Sequence, residues 1–185
     1  MLLPAINRVN NIEKVKHLTT NEERFLEILE GNKKLIFKIA NAYCRDREDR
    51  KDLMQEIALQ LWRAFPKYDP QYALSTWIYR IALNVSISFY RKERKRKQKL
   101  DAGYQAILEW TAEEDEEEIM AGEIRFLHQF IAKLNPLDRA LMILYLEENK
   151  QEDIAHILGI SKTNVATKIY RIKKRLEKEF KRSKK

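Results

Sequence analysis

Residues 52–99 read DLMQEIALQLWRAFPKYDPQYALSTWIYRIALNVSISFYRKERKRKQK, and their pattern sets the fold class. Leu53, Ile57, Leu61 and Phe65 recur at helical spacing and mark one apolar face, which Pro66 ends. Asp52, Gln55 and Glu56 fall away from that face, as a solvated surface or as a docking surface. PKYDPQYALS, from Pro66 to Ser75, is then a loop holding two prolines and two tyrosines. Tyr68 and Tyr72 either fold back onto the core or offer faces on which unpaired bases stack. Ser75 is placed to cap the next helix. In that helix Ile78, Ile81, Ala82, Val85 and Phe89 form the core stripe, with Trp77, Asn84 and Ser88 to one side. Its end, RKERKRKQK at 91–99, carries seven basic residues in nine positions. A helix C-terminus favours cations, but a run this dense suits phosphate contact.

The rest of the chain extends the same pattern. Thr20-Asn21-Glu22-Glu23 reads as a capping box that starts a helix running to about Tyr43. Phe25, Ile28, Leu29, Leu35, Ile36, Ile39 and Tyr43 form its buried stripe, and Gly31-Asn32 is a weak point able to split it. Residues 1–19 show no clean periodicity and read as an N-terminal extension. Charged residues make up 35% of the 185, with four each of Gly and Pro and no convincing strand, so the expectation is an all-α protein. The net charge of +8 favours a polyanionic partner. A single cysteine, Cys44, excludes an intramolecular disulfide and a cysteine-rich zinc site. With no signal-peptide pattern and no stretch of about 18 apolar residues, the chain is expected to be soluble and cytoplasmic, without membrane insertion.

Past Leu100 the composition turns acidic, centred on Glu113 to Glu118, which makes 100–119 the candidate linker. Thr111-Ala112-Glu113-Glu114 is a second capping box, with acids favoured in a first helical turn. As a metal site the cluster is weak, because consecutive acids point around a helix and no His is nearby. Met120, Ile124, Leu127, Phe130, Ile131 and Leu134 then form a helical stripe, and Asn135-Pro136 restarts the chain as cap and first helical residue. The following helix runs through Leu137, Leu141, Leu144 and Tyr145. Asn149 with Glu152 starts a short helix, Lys150 to Leu158, that Gly159 ends in a left-handed conformation. Ser161 caps the last helix, with Val165, Ile169, Ile172, Leu176 and Phe180 inward. Two helices joined tightly at Gly159-Ile160-Ser161, with Ala155 at the close approach, make a helix-turn-helix. Its outward residues Thr163, Asn164, Thr167, Lys168 and Arg171 suit base edges and phosphates.

DRKDLMQEIALQLWRAFPKYDPQYALSTWIYRIALNVSISFYRKERKR resembles region two, the promoter-melting domain, of bacterial sigma factors. LNPLDRALMILYLEENKQEDIAHILGISKTNVATKIYRIKKRLEK resembles their region four. With a short acidic linker and no middle domain, the layout is similar to the extracytoplasmic-function group of the sigma-70 family. The resemblance covers residues 22–99 and 120–180. It implies region two at 20–99, a linker at 100–119 and region four at 120–185. It also implies core RNA polymerase and promoter DNA as partners, an anti-sigma factor as a further one, and a monomer when free. Asp52, Gln55 and Glu56 match the DLxQE motif that docks on polymerase. Tyr68, Tyr72, Ser75, Trp77, Asn84, Ser88 and Arg91 fall in the part that captures a flipped minus-ten base, where stacking costs must be recovered. Ser161, Thr163, Asn164, Thr167, Lys168 and Arg171 would face the minus-thirty-five element. Where the family often has Gly-Thr-Val-Lys-Ser-Arg, this chain has Thr163-Asn164-Val165-Ala166-Thr167-Lys168, so base preference does not carry over. No catalytic residue, metal or cofactor is implied. Two other functions compete: a stand-alone helix-turn-helix regulator, and a carboxylate-metal nuclease built on 113–118.

Overall fold

The computed structural model describes residues 20–98 and 122–184. The arm at 1–19, the linker 100–119 with its acidic run and capping box, and Met120 lie outside them. Eight α-helices account for nearly all of the described residues: α1 Thr20–Gly31, α2 Lys33–Tyr43, α3 Arg47–Ala64, α4 Leu74–Gln98, α5 Gly122–Ala132, α6 Pro136–Leu146, α7 Gln151–Leu158 and α8 Lys162–Ser183. A single 3-10 turn, Phe65–Lys67, follows α3. No strand occurs among the described residues, so the fold is all-α as expected. The chain divides into two compact units, one ending at Leu35 and the other running from Ile36.

Local chemistry explains the boundaries. The expected first helix is split: Asn32 donates from its backbone N–H and also from Nδ2 to the Ile28 carbonyl, at 3.1 and 2.8 Å, so its side chain shares the acceptor that closes the last turn of α1. At the start of α3 the Asp46 carboxylate accepts from the Asp49 N–H at 2.8 Å, with Glu48 and Asp49 in the first turn where negative charge is favoured. Leu53, Ile57 and Leu61 are buried as the spacing predicted, and they seat α3 on α4. Removing a fully buried Ile or Leu side chain to Ala costs about 2–5 kcal/mol, so these three hold the helix pair together.

Helix α4 departs from expectation twice. It begins at Leu74, where the Trp77 N–H donates to the Ala73 carbonyl at 3.2 Å, so Ser75 lies in the first turn and is not the cap. Its buried residues are Ile78, Tyr79, Ala82, Leu83, Ser86 and Ile87, while Ile81, Val85 and Phe89 are only half-buried. The cause is that α4 has partners on two sides, α3 on one and α6 with α7 on the other. Ser86 tolerates burial because its hydroxyl donates to the Ala82 carbonyl at 2.7 Å.

In the C-terminal half the Asn135 side chain accepts from the Asp138 N–H at 2.9 Å, and Pro136 opens α6 without losing a needed donor. Ile124 is exposed rather than part of the stripe. Asn149 does not cap α7: its Nδ2 donates to the Leu144 carbonyl at 3.0 Å, closing α6, and Lys150 takes the cap position through its backbone alone. Gly159 ends α7 at φ 66°, and Ser161 Oγ accepts from the Asn164 N–H at 3.2 Å to start α8. Val165, Ile169 and Ile172 are buried against the preceding helices, while Phe180 meets Phe126 of α5 with ring centroids 5.4 Å apart.

Candidate nucleic-acid interface

The exposed face of α3 holds Asp52 and Gln55 in solvent, with Glu56 half-buried beside them and accepting from Gln60 Nε2 at 2.7 Å. Their shared face follows from the helical period, since the opposite side is occupied by Leu53, Ile57 and Leu61. Leu59 and Trp62 are partly exposed nearby, so acidic and apolar side chains share this side of α3.

The aromatics of the loop form a small shelf. Trp77, half-buried at the start of α4, lies against Tyr68 at 5.1 Å and Phe65 at 6.4 Å, centroid to centroid. Tyr68 is fixed by its hydroxyl, which donates to the Tyr72 carbonyl at 2.9 Å. Trp77 is therefore in ring contact with the loop aromatics, whereas Asn84 is exposed. Tyr72 is half exposed and its ring stacks on the His156 imidazole of α7, 5.2 Å between centroids and 20° from parallel. Ser75 is exposed in the first turn of α4.

From the shelf, one face of α4 carries Trp77, Arg80, Asn84, Ser88, Arg91 and Lys95 at three- and four-residue steps. Ser88, Arg91, Lys92 and Lys95 line a shallow open groove of roughly 360 Å³. Lys92 and Lys95 belong to the basic run read from the sequence as suited to phosphate, whereas Arg80 is the member of this face that the sequence reading did not name. The signal for Arg80 was its helical register with Trp77 and Asn84, three residues from one and four from the other.

In the helix-turn-helix, Thr163, Asn164, Thr167 and Arg171 are exposed on α8. Thr167 donates its hydroxyl to the Thr163 carbonyl at 2.9 Å, which leaves the hydroxyl oxygen able to accept. Ser161 spends its hydroxyl oxygen on the cap. Lys168 turns inward, half-buried, and pairs with Asp138 at 2.8 Å. Tyr170, 64% exposed, stands on the outward side with Lys174 Nζ 5.9 Å from its ring centre, and it too was missed. Lys162 at the helix start pairs with Glu152 of α7, and this hydrogen bond holds the Glu152 carboxyl below its ordinary range. No helix among the described residues is long and apolar enough to cross a membrane.

An aromatic shelf leading into a basic helical face, with a capped helix-turn-helix in the same chain, defines a two-module helical protein built to hold nucleic acid. Comparison with known proteins narrows the class. The sigma-70 region 2 family matches residues 28–96, and the sigma-70 region 4 family matches residues 126–176. The sigma factor SigV of Bacillus subtilis is 23% identical over 85% of this chain and 91% of its own. SigW of the same organism, an extracytoplasmic-function (ECF) sigma factor, is 26% identical over 86% and 90%. Among solved structures, CnrH in complex with the cytosolic domain of CnrY aligns with a TM-score of 0.61 at 18% identity, covering 88% of this chain and 90% of that one. The sigma factor RpoE in complex with the anti-sigma factor NepR from Bartonella quintana aligns at 0.60 and 19% identity, covering 86% and 95%. The chain belongs to the sigma-70 family, in its extracytoplasmic-function group. It acts in promoter-specific transcription initiation.

Proposed function

We propose that this sigma factor binds core RNA polymerase through α3, opens and holds the minus-ten element with the shelf and basic face of α4, and reads the minus-thirty-five element with α8. The observation that carries this division of labour is the continuity of the Trp77 shelf with the Arg80–Lys95 face: bases displaced from a duplex meet aromatics, and the flanking phosphates meet cations on the same helix. Asp52, Gln55 and Glu56 are the polymerase contacts. Tyr68, Tyr72, Ser75, Trp77, Asn84, Ser88 and Arg91 serve the minus-ten element, with Trp77 acting through its contacts with Tyr68 and Phe65. Ser161, Thr163, Asn164, Thr167 and Arg171 serve the minus-thirty-five element, and Lys168 does so only if its pair with Asp138 opens.

Residues 20–99 and 120–185 act as the two functional domains, with 100–119 as the linker and 1–19 as an extension. The protein works in the cytoplasm without catalytic residues of its own, since polymerase performs the chemistry. An anti-sigma factor is a further partner, by analogy with the complexes of CnrH and RpoE.

Core polymerase supplied with this chain should initiate at a defined set of promoters, and Asp52→Ala or Gln55→Ala should weaken core binding without unfolding α3, because both side chains are in solvent. Failure of the wild-type chain to associate with core polymerase would overturn the assignment.

A further inference from the structure

The outward face of α8 continues past the residues that suit base edges. Thr167, Tyr170 and Arg171 share one side of the helix, and Lys174, Lys178 and Lys181 extend the same line toward its C-terminus, all of them exposed. Along that line the chemistry changes from hydroxyls to cations alone. Tertiary contacts fix the direction in which it points. Val165, Ile169 and Ile172 are buried on the opposite side. Farther along, Phe180 meets Phe126 of α5 at 5.4 Å, Arg175 lies over the Phe130 ring, 5.5 Å from its centre, and Lys184 pairs with Glu123 at 2.9 Å. The last turns of α8 are thus seated on α5, which keeps the three lysines outward.

A solvated helix face ordinarily mixes the two signs, because like charges three and four residues apart repel. Lys178 instead has Lys174 and Arg175 before it and Lys181 and Arg182 after it at those spacings, all of them cations. The acids of this stretch stand off the line. Glu179 pairs with Arg175 at 2.8 Å, and Glu177 flanks the lysines, 3.5 Å from Lys174 and 2.8 Å from Lys181. Its hydrogen bond with Lys181, reinforced by both positive charges, holds the Glu177 carboxyl below its ordinary range. The helix dipole favours cations in the last turn only, which accounts for Lys181 and Arg182 but not for Lys174 or Lys178.

We propose that Lys174, Lys178 and Lys181 form a phosphate-tracking stripe, which grips duplex DNA beside the base pairs read by the first turns of α8 and adds affinity without sequence preference. The inference rests on the function proposed above. Thr163 to Arg171 spans about 12 Å at 1.5 Å per residue, about the width of the major groove. The turns that follow therefore reach the rim of the groove, where the phosphodiester backbone lies. Lysine suits that place, since a point charge on a flexible stem neutralises a phosphate without demanding one geometry. Glu177 sets the strength of the grip, because it competes with phosphate for two of the three ammonium groups.

The test uses the full chain in the polymerase holoenzyme on promoter duplex, with Lys174→Gln, Lys178→Gln and Lys181→Gln combined. Glutamine keeps the helix propensity, and the exposed positions leave the fold intact. The slope of log affinity against log salt should fall by about 0.9 for each lysine, so the wild type should lose about fortyfold more affinity than the triple variant between about 50 and 200 mM salt. The penalty for a base-pair change within the minus-thirty-five element should be equal in the two proteins. Alkylation of single phosphates flanking that element should impair the wild type and leave the variant indifferent. Glu177→Gln should tighten promoter binding, an effect lost when the three lysines are replaced. An unchanged slope, or an altered base-pair penalty, would overturn the stripe. So would a triple variant that lost affinity for core polymerase with its phosphate map intact, since the partner would then be a protein surface. If the wild-type chain never joined core polymerase, the function proposed above would fall, while a shallower salt slope of the triple variant alone on duplex DNA would still support the stripe.

Discussion

Lys168 and Asp138 form a 2.8 Å ion pair between α8 and the first turn of α6, with both side chains largely shielded from solvent. A cation on the DNA-reading helix is thus committed to holding that helix in place. Its exchange for a neutral residue should cost stability before it costs selectivity.

Lys168→Ala should lower the unfolding free energy by about 1 kcal/mol, between the worth of an exposed pair and that of a fully buried one. Arg171→Ala, whose side chain is exposed, should leave the denaturation midpoint nearly unchanged and weaken promoter binding by the holoenzyme. Urea unfolding and promoter binding measured on the two variants separate these roles. A larger stability loss in Arg171→Ala would contradict the assignment.

Tyr79 should ionise late. Burial, reinforced by the negative charge of Glu147, raises its hydroxyl to about 12, and burial pushes Tyr43 up further still. A group whose ionisation is raised in the folded state contributes stability that is complete below its ordinary value near 10 and lost as pH rises through the folded value. Alkaline titration followed at 295 nm should show two of the eight tyrosines ionising only with unfolding. Phe at position 79 should remove one of them.

Glu148 sits at φ 57° in the turn before α7, a conformation that costs an L-residue roughly 1–2 kcal/mol. Glycine removes that strain but loses roughly 0.5–1 kcal/mol of chain entropy. Glu148→Gly should therefore stabilise the protein by about 0.5–1 kcal/mol, read as a higher thermal midpoint. Glu148→Val at the same place should lower it.

Arg91 and Lys95 line the groove on α4 and should each neutralise one duplex phosphate. Alanine at either position should reduce the slope of log affinity against log salt by about 0.9 for promoter binding by the holoenzyme. Unchanged slopes would remove the groove from the DNA path.

The helices were legible where the period of the chain was reinforced by local chemistry. Asn135, Gly159 and Ser161 each act through hydrogen bonds or backbone freedom within four residues, and such signals survive without tertiary context. Leu53, Ile57 and Leu61 were equally clear, because α3 buries only one face and a single stripe shows which. The pairing of DLMQE with the helix-turn-helix identified the family, since both motifs are contiguous.

Helix α4 marks where that reasoning stops. Ile81, Val85 and Phe89 and the neighbouring line of Tyr79, Leu83, Ser86 and Tyr90 are both apolar enough to be buried, and periodicity cannot rank two faces that each have a partner. Asn149 could close one helix or open the next, and the proximity of the Leu144 carbonyl chose the first. Lys168 looked outward until Asp138, thirty residues away, came within reach. Arg139 is one cation among many in the chain, and nothing near it in sequence suggests its burial. Its partners Ala42, Tyr43 and Tyr90 come from distant segments, so only the folded chain brings together the carbonyl and aromatic faces that make a buried guanidinium tolerable.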